Sequence, residues 1–357
     1  MISIIGAGPA GSYLAYLLAK QGKEVSLFED HSRVGVPIQC TGLVTSSIEE
    51  MIKIKKEFLI NKIPKVRIVS PDGNYFELKF NKPNILFHRA KFDQYVAELA
   101  ENAGVKICLN HKFKDYKKPF VSFENNKKYK TDYLVGADGP ASKVAQVSGL
   151  YNNRKFVIGM QARYTSNIDK DTIEFWLDKQ SFGWVVPESE SIARIGIVAY
   201  SNHNLIFKEF LNKLKKKVTL IEYQSGLIPI YDPNVKTQKN EVYLLGDAAT
   251  MVKATTYGGI IQGMQAAEEL TKAIISNGNY EGMWRKRVGK ELYLHLLIRK
   301  TLDKFSKEDC NELIEIASKQ NVKYMLENFD RDFPSKFLLK LIFKEPRLLK
   351  YGLKALI

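Results

Sequence analysis

Cysteine is scarce in this chain, and its scarcity excludes two kinds of protein. Only three cysteines occur among 357 residues, and Cys40, Cys108 and Cys310 lie far apart. Three scattered thiols cannot form a disulfide framework, so we expect a reducing compartment, the cytoplasm. Neither a C-x-x-C pair nor an H-x-x-x-H pair is present, and the sequence therefore predicts no bound metal.

Long hydrophobic runs, internal repeats and low-complexity segments are also absent. No apolar run reaches the roughly 18 residues that span a bilayer. Hydrophobic residues make up 45% and charged residues 26% of the chain, an ordinary globular balance. At roughly 150 residues per domain, the length suits about two domains. Because no Gly/Ser linker separates them, we expect the two domains to be interleaved.

Acidic residues are few relative to basic ones. The chain has 54 Lys and Arg against 39 Asp and Glu, which gives a net charge of +15. Such a charge favours anionic partners, which include nucleic acids, acidic lipid headgroups and phosphorylated substrates. A generally lysine-rich composition gives the same balance, so charge alone does not identify the partner.

The first 30 residues contain the pattern of a dinucleotide-binding site. An apolar strand, Ile2–Ile5, precedes Gly6-x-Gly8-x-x-Gly11, and a helix and a second strand follow, ending at Glu29. The first glycine permits the turn, the second lets the backbone approach a pyrophosphate, and the third lets helix and strand pack closely. The helix N-terminus offers N–H groups to phosphates, and Glu29 lies where a carboxylate accepts ribose hydroxyls. A glycine turn of purely structural use is the alternative.

Residue periodicity predicts further elements downstream. Residues 65–80 alternate around a P-D-G-N turn, which is typical of a hairpin. Residues 156–200 are mainly β in pattern, and the chain from Tyr280 onward is helical in pattern. The other predicted helices are residues 91–103, 207–217 and 260–277.

Two more motifs each follow a predicted strand. G-A-D-G at residues 136–139 contains Asp138, and G-D-A-A at residues 246–249 contains Asp247. Together with the glycine turn, these motifs make the chain resemble the flavoproteins that include aromatic hydroxylases, flavin halogenases and geranylgeranyl reductases. In that family the three elements surround a single FAD. The resemblance covers residues 1–275.

The resemblance implies FAD as the cofactor. The electron donor is then NAD(P)H or a small reductant protein, because one G-x-G-x-x-G is present. Asp247 can accept a bond from a ribityl hydroxyl or merely cap the next helix. A helix that begins near Gly259 can direct its N–H groups at the flavin edge that becomes negative on reduction. An R-x-x-F-D segment, which runs from Arg89 to Asp93, supplies the family's arginine to the flavin nucleotide. The implied cofactor-binding residues are Gly6, Gly8, Ala10, Gly11, Glu29, Arg33, Cys40, Arg89, Asp138, Gly139, Gly246, Asp247, Gly258, Gly259 and Ile260.

Three segments favour the geranylgeranyl reductase branch of these flavoproteins. Residues 252–259, V-K-A-T-T-Y-G-G, resemble its V-K-P-T-T-x-G-G loop with alanine for the proline. Residues 37–42 resemble its P-x-x-C-x-G segment, and residues 184–187 resemble its W-x-F-P strand with valine for the aromatic. The halogenases carry a W-x-W-x-I-P pattern in this strand, and of its two tryptophans this chain has only Trp184. The aromatic hydroxylases carry an arginine where this chain has Ala145. The chain is thereby identified as similar to the geranylgeranyl reductases, including the archaeal lipid reductases.

This branch implies an FAD-dependent reductase that saturates isolated double bonds in the geranylgeranyl chains of a membrane ether lipid or its phosphorylated precursor. The runner-up is a flavin monooxygenase of an aromatic or quinone-like compound, and a flavin-holding scaffold at a membrane is a third reading. The implied catalytic candidates are Cys40, Trp184 and Tyr257: the thiol as proton donor or gate, the aromatic residues as walls, and Tyr257 as the alternative donor. Cys108 and Cys310 are expected to be inert buried residues.

The C-terminal segment predicts contact with an anionic membrane surface. Lys336, Lys340 and Lys344 recur every fourth residue opposite apolar residues between 337 and 342, and residues 331–357 contain seven basic and two acidic side chains. A second apolar stripe consists of Leu349, Leu353 and Leu356. A basic amphipathic helix can lie on an anionic bilayer, here the inner face of the cell membrane. Alternatively, both stripes cap the substrate domain and the lysines are merely solvated. No nucleic-acid partner is expected.

These observations predict an α/β fold in which a Rossmann-type FAD domain is interleaved with a β-sheet substrate domain and followed by a helical C-terminal region. The predicted segments are 1–64, 84–155 and 235–277 for the FAD domain, 65–83 and 156–234 for the substrate domain, and 278–357 for the helical region.

Overall fold

The computed structural model of this protein describes residues 1–178, 181–214 and 218–351. The chain forms two compact units, each assembled from three separate stretches of sequence. The predicted α/β fold with interleaved units is confirmed. The first unit comprises Met1–Ile38, Arg89–Lys155 and Ile228–Tyr293, and the second comprises Gln39–His88, Phe156–Leu227 and Leu294–Ile357.

The strands belong to three sheets. In chain order they are β1 Ile2–Ile5, β2 Val25–Phe28, β3 Leu43–Val44, β4 Leu59–Val69, β5 Tyr75–Phe87, β6 Lys106–Cys108, β7 Phe113–Lys117, β8 Phe120–Phe123, β9 Lys128–Lys130, β10 Tyr133–Gly136, β11 Phe156–Thr165, β12 Thr172–Asp178, β13 Ser181–Pro187, β14 Ile192–Ala199, β15 Thr219–Pro229, β16 Gln238–Lys239 and β17 Val242–Leu244.

The helices are mostly short. They are α1 Pro9–Lys20, α2 Arg89–Asn102, α3 Lys143–Ser148, α4 His203–Leu214, α5 Ile260–Ser276, α6 Tyr280–Trp284, α7 Lys290–Leu302, α8 Lys307–Ser318, α9 Gln320–Asn328 and α10 Leu338–Lys344. Single turns of 3-10 helix lie at Ser46–Glu50, Gly246–Ala249, Pro334–Lys336 and Pro346–Leu348, and a π-helical turn at Arg285–Gly289 joins α6 to α7.

The first unit is built on a six-stranded sheet in the order β16-β17-β10-β1-β2-β6. Its strands are parallel except for the β16–β17 pair. Every residue of β1 and β2 is buried, which is expected for parallel strands covered on both faces. Helix α1 connects these two strands and buries Tyr13, Leu14 and Leu18, so the first 28 residues form one compact β-α-β element.

The second unit is built on an eight-stranded sheet in the order β15-β11-β14-β13-β12-β4-β5-β3. The predicted hairpin is present, with β4 and β5 extending beyond residues 65–80 on both sides of its turn. Helix α4 covers one face of the sheet, where Phe207, Phe210 and Leu214 pack with Val185 and Ile195. The predicted helix at 207–217 corresponds to α4, and its residues 215–217 lie outside the described residues.

Residues 39–64 lie in the second unit, although residues 1–64 are predicted to belong to the FAD domain. Strand β3 pairs with β5, and β4 already begins at Leu59, so this stretch is hydrogen-bonded into the eight-stranded sheet. The prediction was wrong here because a two-residue strand in an irregular segment gives no periodic signal. Cys40 consequently belongs to the second unit.

The helical C-terminal stretch is divided between the two units rather than forming a region of its own. The chain up to Tyr293 belongs to the first unit, and the remainder belongs to the second. In the second unit, Ile314 and Ala317 of α8 pack against Phe76 and Leu78 of β5. These residues complete the core of the hairpin, which would otherwise expose one apolar face.

A small sheet in the first unit was not predicted from the sequence. Strands β7, β8 and β9 form an antiparallel sheet between residues 113 and 130. Lysines interrupt the alternation of apolar residues in these short strands, so the sequence pattern is weak. Among the described helices, none is both long enough and apolar enough to cross a membrane.

Candidate functional site

The glycine turn after β1 is formed by close backbone contacts at two of its three glycines. A Cβ atom on Gly6, whose φ is +103°, would lie 2.3 Å from the Ala137 carbonyl oxygen, and one on Gly11 would lie 2.1 Å from the Gly6 carbonyl oxygen. A Cβ atom on Gly8 would meet no atom within 4 Å. Close packing within the protein therefore explains why residues 6 and 11 are glycine. The open space at Gly8 is where a pyrophosphate can approach the backbone.

Helix α1 presents an open N-terminus next to that space. Gly8 is its N-cap residue, Pro9 occupies its first turn, and no side chain caps it or adds negative charge there. The N–H groups of the first turn are therefore available to a bound anion. This arrangement fits the phosphates of a dinucleotide cofactor.

Glu29 follows the end of β2 beside the same turn. Its Oε2 accepts a hydrogen bond of 2.9 Å from the Ala7 backbone N–H, and its Oε1 accepts one of 3.2 Å from the His31 N–H. The His31 ring lies 2.7 Å from the same Oε1. Burial raises the pKa of Glu29, while the bonds from Ala7 and His31 favour its charged form. The carboxylate is thus held next to the glycine turn, where it can accept a ribose hydroxyl.

The two predicted aspartates differ in how their carboxylates are used. Asp138 accepts hydrogen bonds from Ser142 Oγ at 2.6 Å and from the Val144 N–H at 3.0 Å, so it caps the start of α3. Burial raises its pKa. Asp247 is the second residue of the 3-10 turn Gly246–Ala249, which carries no side-chain cap. Burial raises the pKa of Asp247 to about 6, and the nearby Arg89 guanidinium opposes this shift. Of the two, Asp247 is the carboxylate whose surroundings suit a cofactor hydroxyl.

The segment from Gly246 to Gly259 brings a second helix N-terminus close to the first. Cβ atoms on Gly246 and Gly263 would lie 3.3 Å and 3.2 Å from the Cβ of Ala10, so α1 and α5 approach each other at small residues. Gly259 is the N-cap residue of α5, again without a side-chain cap. A Cβ on Gly259 would lie 3.0 Å from Asp247 Oδ1. The first unit therefore contains two uncapped helix N-termini, each of which can attract an anionic or electron-rich group.

The V-K-A-T-T-Y-G-G loop closes through its own backbone. Lys253 N–H donates to the Gly258 carbonyl at 3.0 Å, and Tyr257 N–H donates to the Lys253 carbonyl at 2.8 Å. Tyr257 has a φ of +56°, an uncommon conformation for a residue other than glycine. Ala254, which stands where the family has proline, is buried. These hydrogen bonds hold the loop in place without the proline.

Other predicted cofactor residues lie near these elements or on the surface of the first unit. Arg89 forms a bidentate pair with the buried Asp93, at 3.1 Å and 3.0 Å. Gly139 adopts a φ of +77° just after Asp138. Arg33 is exposed in the loop after β2.

The remaining catalytic candidates, Cys40 and Trp184, lie in the second unit. Cys40 is half-buried, and its Sγ accepts a hydrogen bond of 3.4 Å from the Gly42 N–H. The Trp184 ring is buried, and its Nε1 donates to Gln161 Oε1 at 3.3 Å. Cys108 and Cys310 are buried as expected, and burial raises the pKa of both thiols, that of Cys310 to about 11.

Buried polar residues around Thr41 were not predicted from the sequence. Gln161 on β11 and Arg194 on β14 both hydrogen-bond the residue that follows Cys40. The signal that could have found them is a polar residue within an apolar strand, such as the arginine in I-A-R-I-G-I-V-A. Such residues are rarely buried unless they are paired.

The second unit also contains an open cavity of about 500 Å³ beside α4 and β15. Its lining mixes apolar and polar side chains. They are Met160, Asn204, Phe207, Lys208, Leu211, Tyr223, Gln224 and Ser225.

The parallel sheet, the glycine turn and Glu29 together define the first unit as a Rossmann-type nucleotide-binding unit. In agreement, residues 4–41 match the family model described as an NAD(P)-binding Rossmann-like domain. The whole chain is similar to proteins named digeranylgeranylglycerophospholipid reductase. The one from Methanocaldococcus jannaschii is 29% identical over 98% of this chain and 96% of its own length. The resemblance to the geranylgeranyl reductases is thereby confirmed.

Solved structures show how widely the fold is shared. A geranylgeranyl bacteriochlorophyll reductase-like protein from Thermoplasma acidophilum superposes with a TM-score of 0.85 at 23% identity, covering 99% of this chain and 98% of its own. A flavin-dependent halogenase, CmlS, superposes with a TM-score of 0.70 at 14% identity, covering 98% of this chain and 77% of its own. At these identities the superpositions establish the fold alone.

Proposed function

We propose that this protein is an FAD-dependent reductase that saturates isolated double bonds in the geranylgeranyl chains of an ether lipid or its phosphorylated precursor. The observation that carries the proposal is the similarity to digeranylgeranylglycerophospholipid reductases along 98% of the chain. The glycine turn and the cysteine segment at 37–42 are present, and so is the reductase-type loop at 252–259, with alanine in place of its proline. The halogenase likeness is more distant in sequence and does not favour a monooxygenase.

FAD fits the residues of the first unit. The space above Gly8 and the first turn of α1 would receive the pyrophosphate, Glu29 the adenosine ribose, and Asp247 a ribityl hydroxyl. The N-terminus of α5 would lie toward the part of the flavin that gains negative charge on reduction. When bound and reduced, FAD supplies the hydride for the reaction. The electrons come from NAD(P)H or from a small reductant protein.

An isolated double bond needs a proton as well as a hydride. One carbon receives the hydride and the other receives the proton, and either charged intermediate is costly in an apolar environment. The protein must therefore hold the alkene and keep a proton donor close to it. We assign the donor to the Cys40 thiol, with Tyr257 as the second candidate and Trp184 as an apolar wall.

The substrate is a long apolar chain with an anionic or polar head. The cavity beside α4 offers Met160, Phe207 and Leu211 to an apolar chain, with Lys208 in the same lining. The net charge of +15 favours a phosphorylated head. The protein would meet such lipids at the cytoplasmic face of the membrane as a peripheral protein.

The exposed face of α10 supports this peripheral contact. Leu339 and Phe343 are 69% and 84% exposed, and Lys336, Lys340 and Lys344 are exposed on the same short segment. Exposed apolar side chains among lysines are typical of a surface that enters the headgroup region of an anionic bilayer. Leu353 and Leu356 of the second predicted stripe lie outside the described residues.

A single-turnover experiment without oxygen tests the proposed reaction. Holoenzyme with prereduced FAD is mixed with a geranylgeranyl lipid, flavin absorbance is followed, and the lipid is analysed by mass spectrometry. We expect the flavin to reoxidise as the lipid gains two hydrogens per reduced bond. Reoxidation that requires oxygen and yields a hydroxylated product would instead establish a monooxygenase, and the absence of both reactions would leave a flavin-holding scaffold.

A further inference from the structure

We propose that Gln161 is a positioning residue that fixes the Cys40 segment and the Trp184 ring relative to each other. This inference rests on the proposed function, because it gives these two residues a shared purpose in alkene reduction. Gln161 belongs to none of the sequence motifs that indicate the reductase, yet it hydrogen-bonds residues in two of them.

The Gln161 side chain is buried and hydrogen-bonded at both ends. Its Oε1 accepts from Thr41 Oγ1 at 2.7 Å and from Trp184 Nε1 at 3.3 Å, and its Nε2 donates to Gln224 Oε1 at 2.6 Å. Gln161 is 4% exposed and Gln224 is 6% exposed. Two donors converge on one carbonyl oxygen, which has two lone pairs, so the amide orientation is set by its neighbours. Loss of the bond to Trp184 or of the bond to Gln224 would leave a buried donor, the Trp184 Nε1 or the Gln161 Nε2, without its partner.

The backbone of the Cys40 segment is also held by Arg194 on strand β14. Arg194 Nη1 donates to the carbonyl oxygens of Thr41 and Phe87, the latter at 3.2 Å. Arg194 is fixed in turn by Glu188, whose Oε1 accepts a 2.7 Å hydrogen bond from Arg194 Nε. Thr41 is therefore anchored twice, through its hydroxyl by Gln161 and through its carbonyl by Arg194.

Close packing completes the arrangement around Cys40 and Trp184. A Cβ atom on Gly226 would lie 2.8 Å from the Gln39 carbonyl oxygen, so β15 approaches the residue before Cys40. A Cβ atom on Gly196 would lie 2.3 Å from Trp184 Cζ2, so the indole ring depends on that glycine for space. Gln39 therefore lies close to β15, and Thr41, on the other side of Cys40, is connected to the tryptophan through Gln161. Because Gln224 also lines the cavity beside α4, one hydrogen-bonded network joins the cavity wall to the thiol segment.

Positioning of this kind predicts a specific pattern of kinetic effects. A thiol displaced by about 1 Å can lose on the order of 100-fold in rate. Variants that remove the Thr41–Gln161 bond should therefore slow alkene reduction about 10- to 100-fold in kcat, with a much smaller change in KM for the lipid. FAD content should be unchanged.

The experiment compares Thr41→Val with Thr41→Ser in the FAD-loaded protein. Valine matches threonine in shape but cannot donate to Gln161, whereas serine keeps the hydroxyl. We expect Thr41→Val to slow single-turnover reduction and to make Cys40 react severalfold faster with iodoacetamide, and Thr41→Ser to restore both rates. Gln161→Leu is the second variant and should reproduce Thr41→Val. Cys108 and Cys310 are buried, so alkylation measured by peptide mass spectrometry reports Cys40 separately.

The alkylation rate separates failure of this inference from failure of the proposed function. Wild-type alkylation and wild-type reduction in both Thr41→Val and Gln161→Leu would overturn the positioning role. A protein that reduces no prenyl lipid but shows the altered alkylation of Cys40 would retain the positioning network and overturn the reductase assignment. Thermal melting of each variant confirms that the comparison is made on folded protein.

Discussion

Gly8 and Gly11 in the turn after β1 are expected to be glycine for different physical reasons. Substituting each of them with alanine distinguishes the two reasons. A Cβ on Gly8 meets no atom within 4 Å, and the φ of Gly8 is −68°, an ordinary value for alanine. A Cβ on Gly11 meets the Gly6 carbonyl oxygen at 2.1 Å. Gly8→Ala should therefore keep the melting temperature of the apoprotein but weaken FAD binding. Gly11→Ala should destabilise the apoprotein by about 1–3 kcal/mol through overpacking.

Thermal melts of the apoprotein and titrations with FAD measure these two effects separately. Normal FAD affinity in Gly8→Ala would show that the open space above this residue does not receive the cofactor.

The thiol of Cys40 is the residue on which the proton-donor assignment depends. Cys40→Ala should slow the alkene-dependent reoxidation of prereduced FAD by about 10²- to 10⁴-fold, as expected when general acid catalysis is lost. Flavin content and reduction by the electron donor should not change. Cys108→Ala is the matched control, because Cys108 is a buried thiol whose pKa is raised by burial. An unchanged rate in Cys40→Ala would transfer the proton-donor assignment to Tyr257, which Tyr257→Phe then tests in the same assay.

Asp247 makes the stability of the apoprotein depend on pH. Burial raises its pKa from 3.8 to about 6, so the folded state holds this proton more tightly than the unfolded state does. The resulting stabilisation is fully present below pH 3.8 and is lost as the pH rises through about 6. At pH 7 the charged carboxylate therefore disfavours folding.

Asp247→Asn should raise the free energy of unfolding of the apoprotein at pH 7 by about 1–3 kcal/mol. The gain should shrink toward zero near pH 4, and FAD binding should weaken because a charged acceptor is lost. Urea unfolding of both proteins at the two pH values measures the difference. A gain of equal size at both pH values would contradict the assigned titration.

Elements that are specified by a motif within a short stretch of sequence were predictable. Contacts between residues far apart in the sequence were not. The β-α-β element and the P-D-G-N hairpin follow from periodicity and turn residues within about 30 positions. The Thr41–Gln161 bond joins residues 120 positions apart, and nothing local to either residue indicates it. Asp138 is a different case, because its motif predicted a cofactor contact, while its carboxylate bonds the nearby Ser142 and Val144 at the start of α3.

Helix α10 and the 3-10 turn before it are predicted to contact the membrane. Their three lysines should each contribute about 1 kcal/mol toward anionic lipid. The triple charge reversal Lys336→Glu, Lys340→Glu and Lys344→Glu should lower partitioning onto vesicles that contain acidic phospholipid, and high salt should lower partitioning of the wild type. The flavin spectrum should stay unchanged in both cases. Cosedimentation with vesicles measures the effect.

Substitutions of two exposed apolar residues on α10 serve as a control, because the charge reversals also remove packing contacts of the lysines. Lys336 and Lys340 also lie 4.3 Å and 5.5 Å from the ring centroids of Phe333 and Phe329, so their reversal also removes cation–π contacts. Leu339→Ser and Phe343→Ser change side chains that are mostly exposed and should weaken vesicle binding without destabilising the protein. Vesicle binding that survives both sets of changes and high salt would make α10 a structural cap of the second unit.

At the scale of the whole molecule, the order of the motifs predicted an interleaved chain, but the exact division depended on long-range pairing. Residues 39–64 join the second unit because β3 pairs with β5 more than 40 positions later. The C-terminal helices divide at Tyr293 because α8 completes the core over the β4–β5 hairpin. Both features need contacts that a single sequence does not reveal, whereas the separate segments of the parallel sheet each carry a local glycine or aspartate motif.

The net charge of +15 is a property of the whole molecule, and it leads to a prediction about the head of the substrate. A positive field raises the local concentration of anionic lipids, and salt screens it over about 10 Å at 0.1 M ionic strength. In neutral detergent micelles, the apparent KM for a phosphorylated geranylgeranyl lipid should rise severalfold between low and high salt. The KM for the corresponding neutral alcohol should stay nearly constant, and kcat should change little for either, because the alkene lies far along the chain from the head. Equal salt dependence for both lipids would mean that the charge acts on the micelle or on protein stability rather than on recognition of the head.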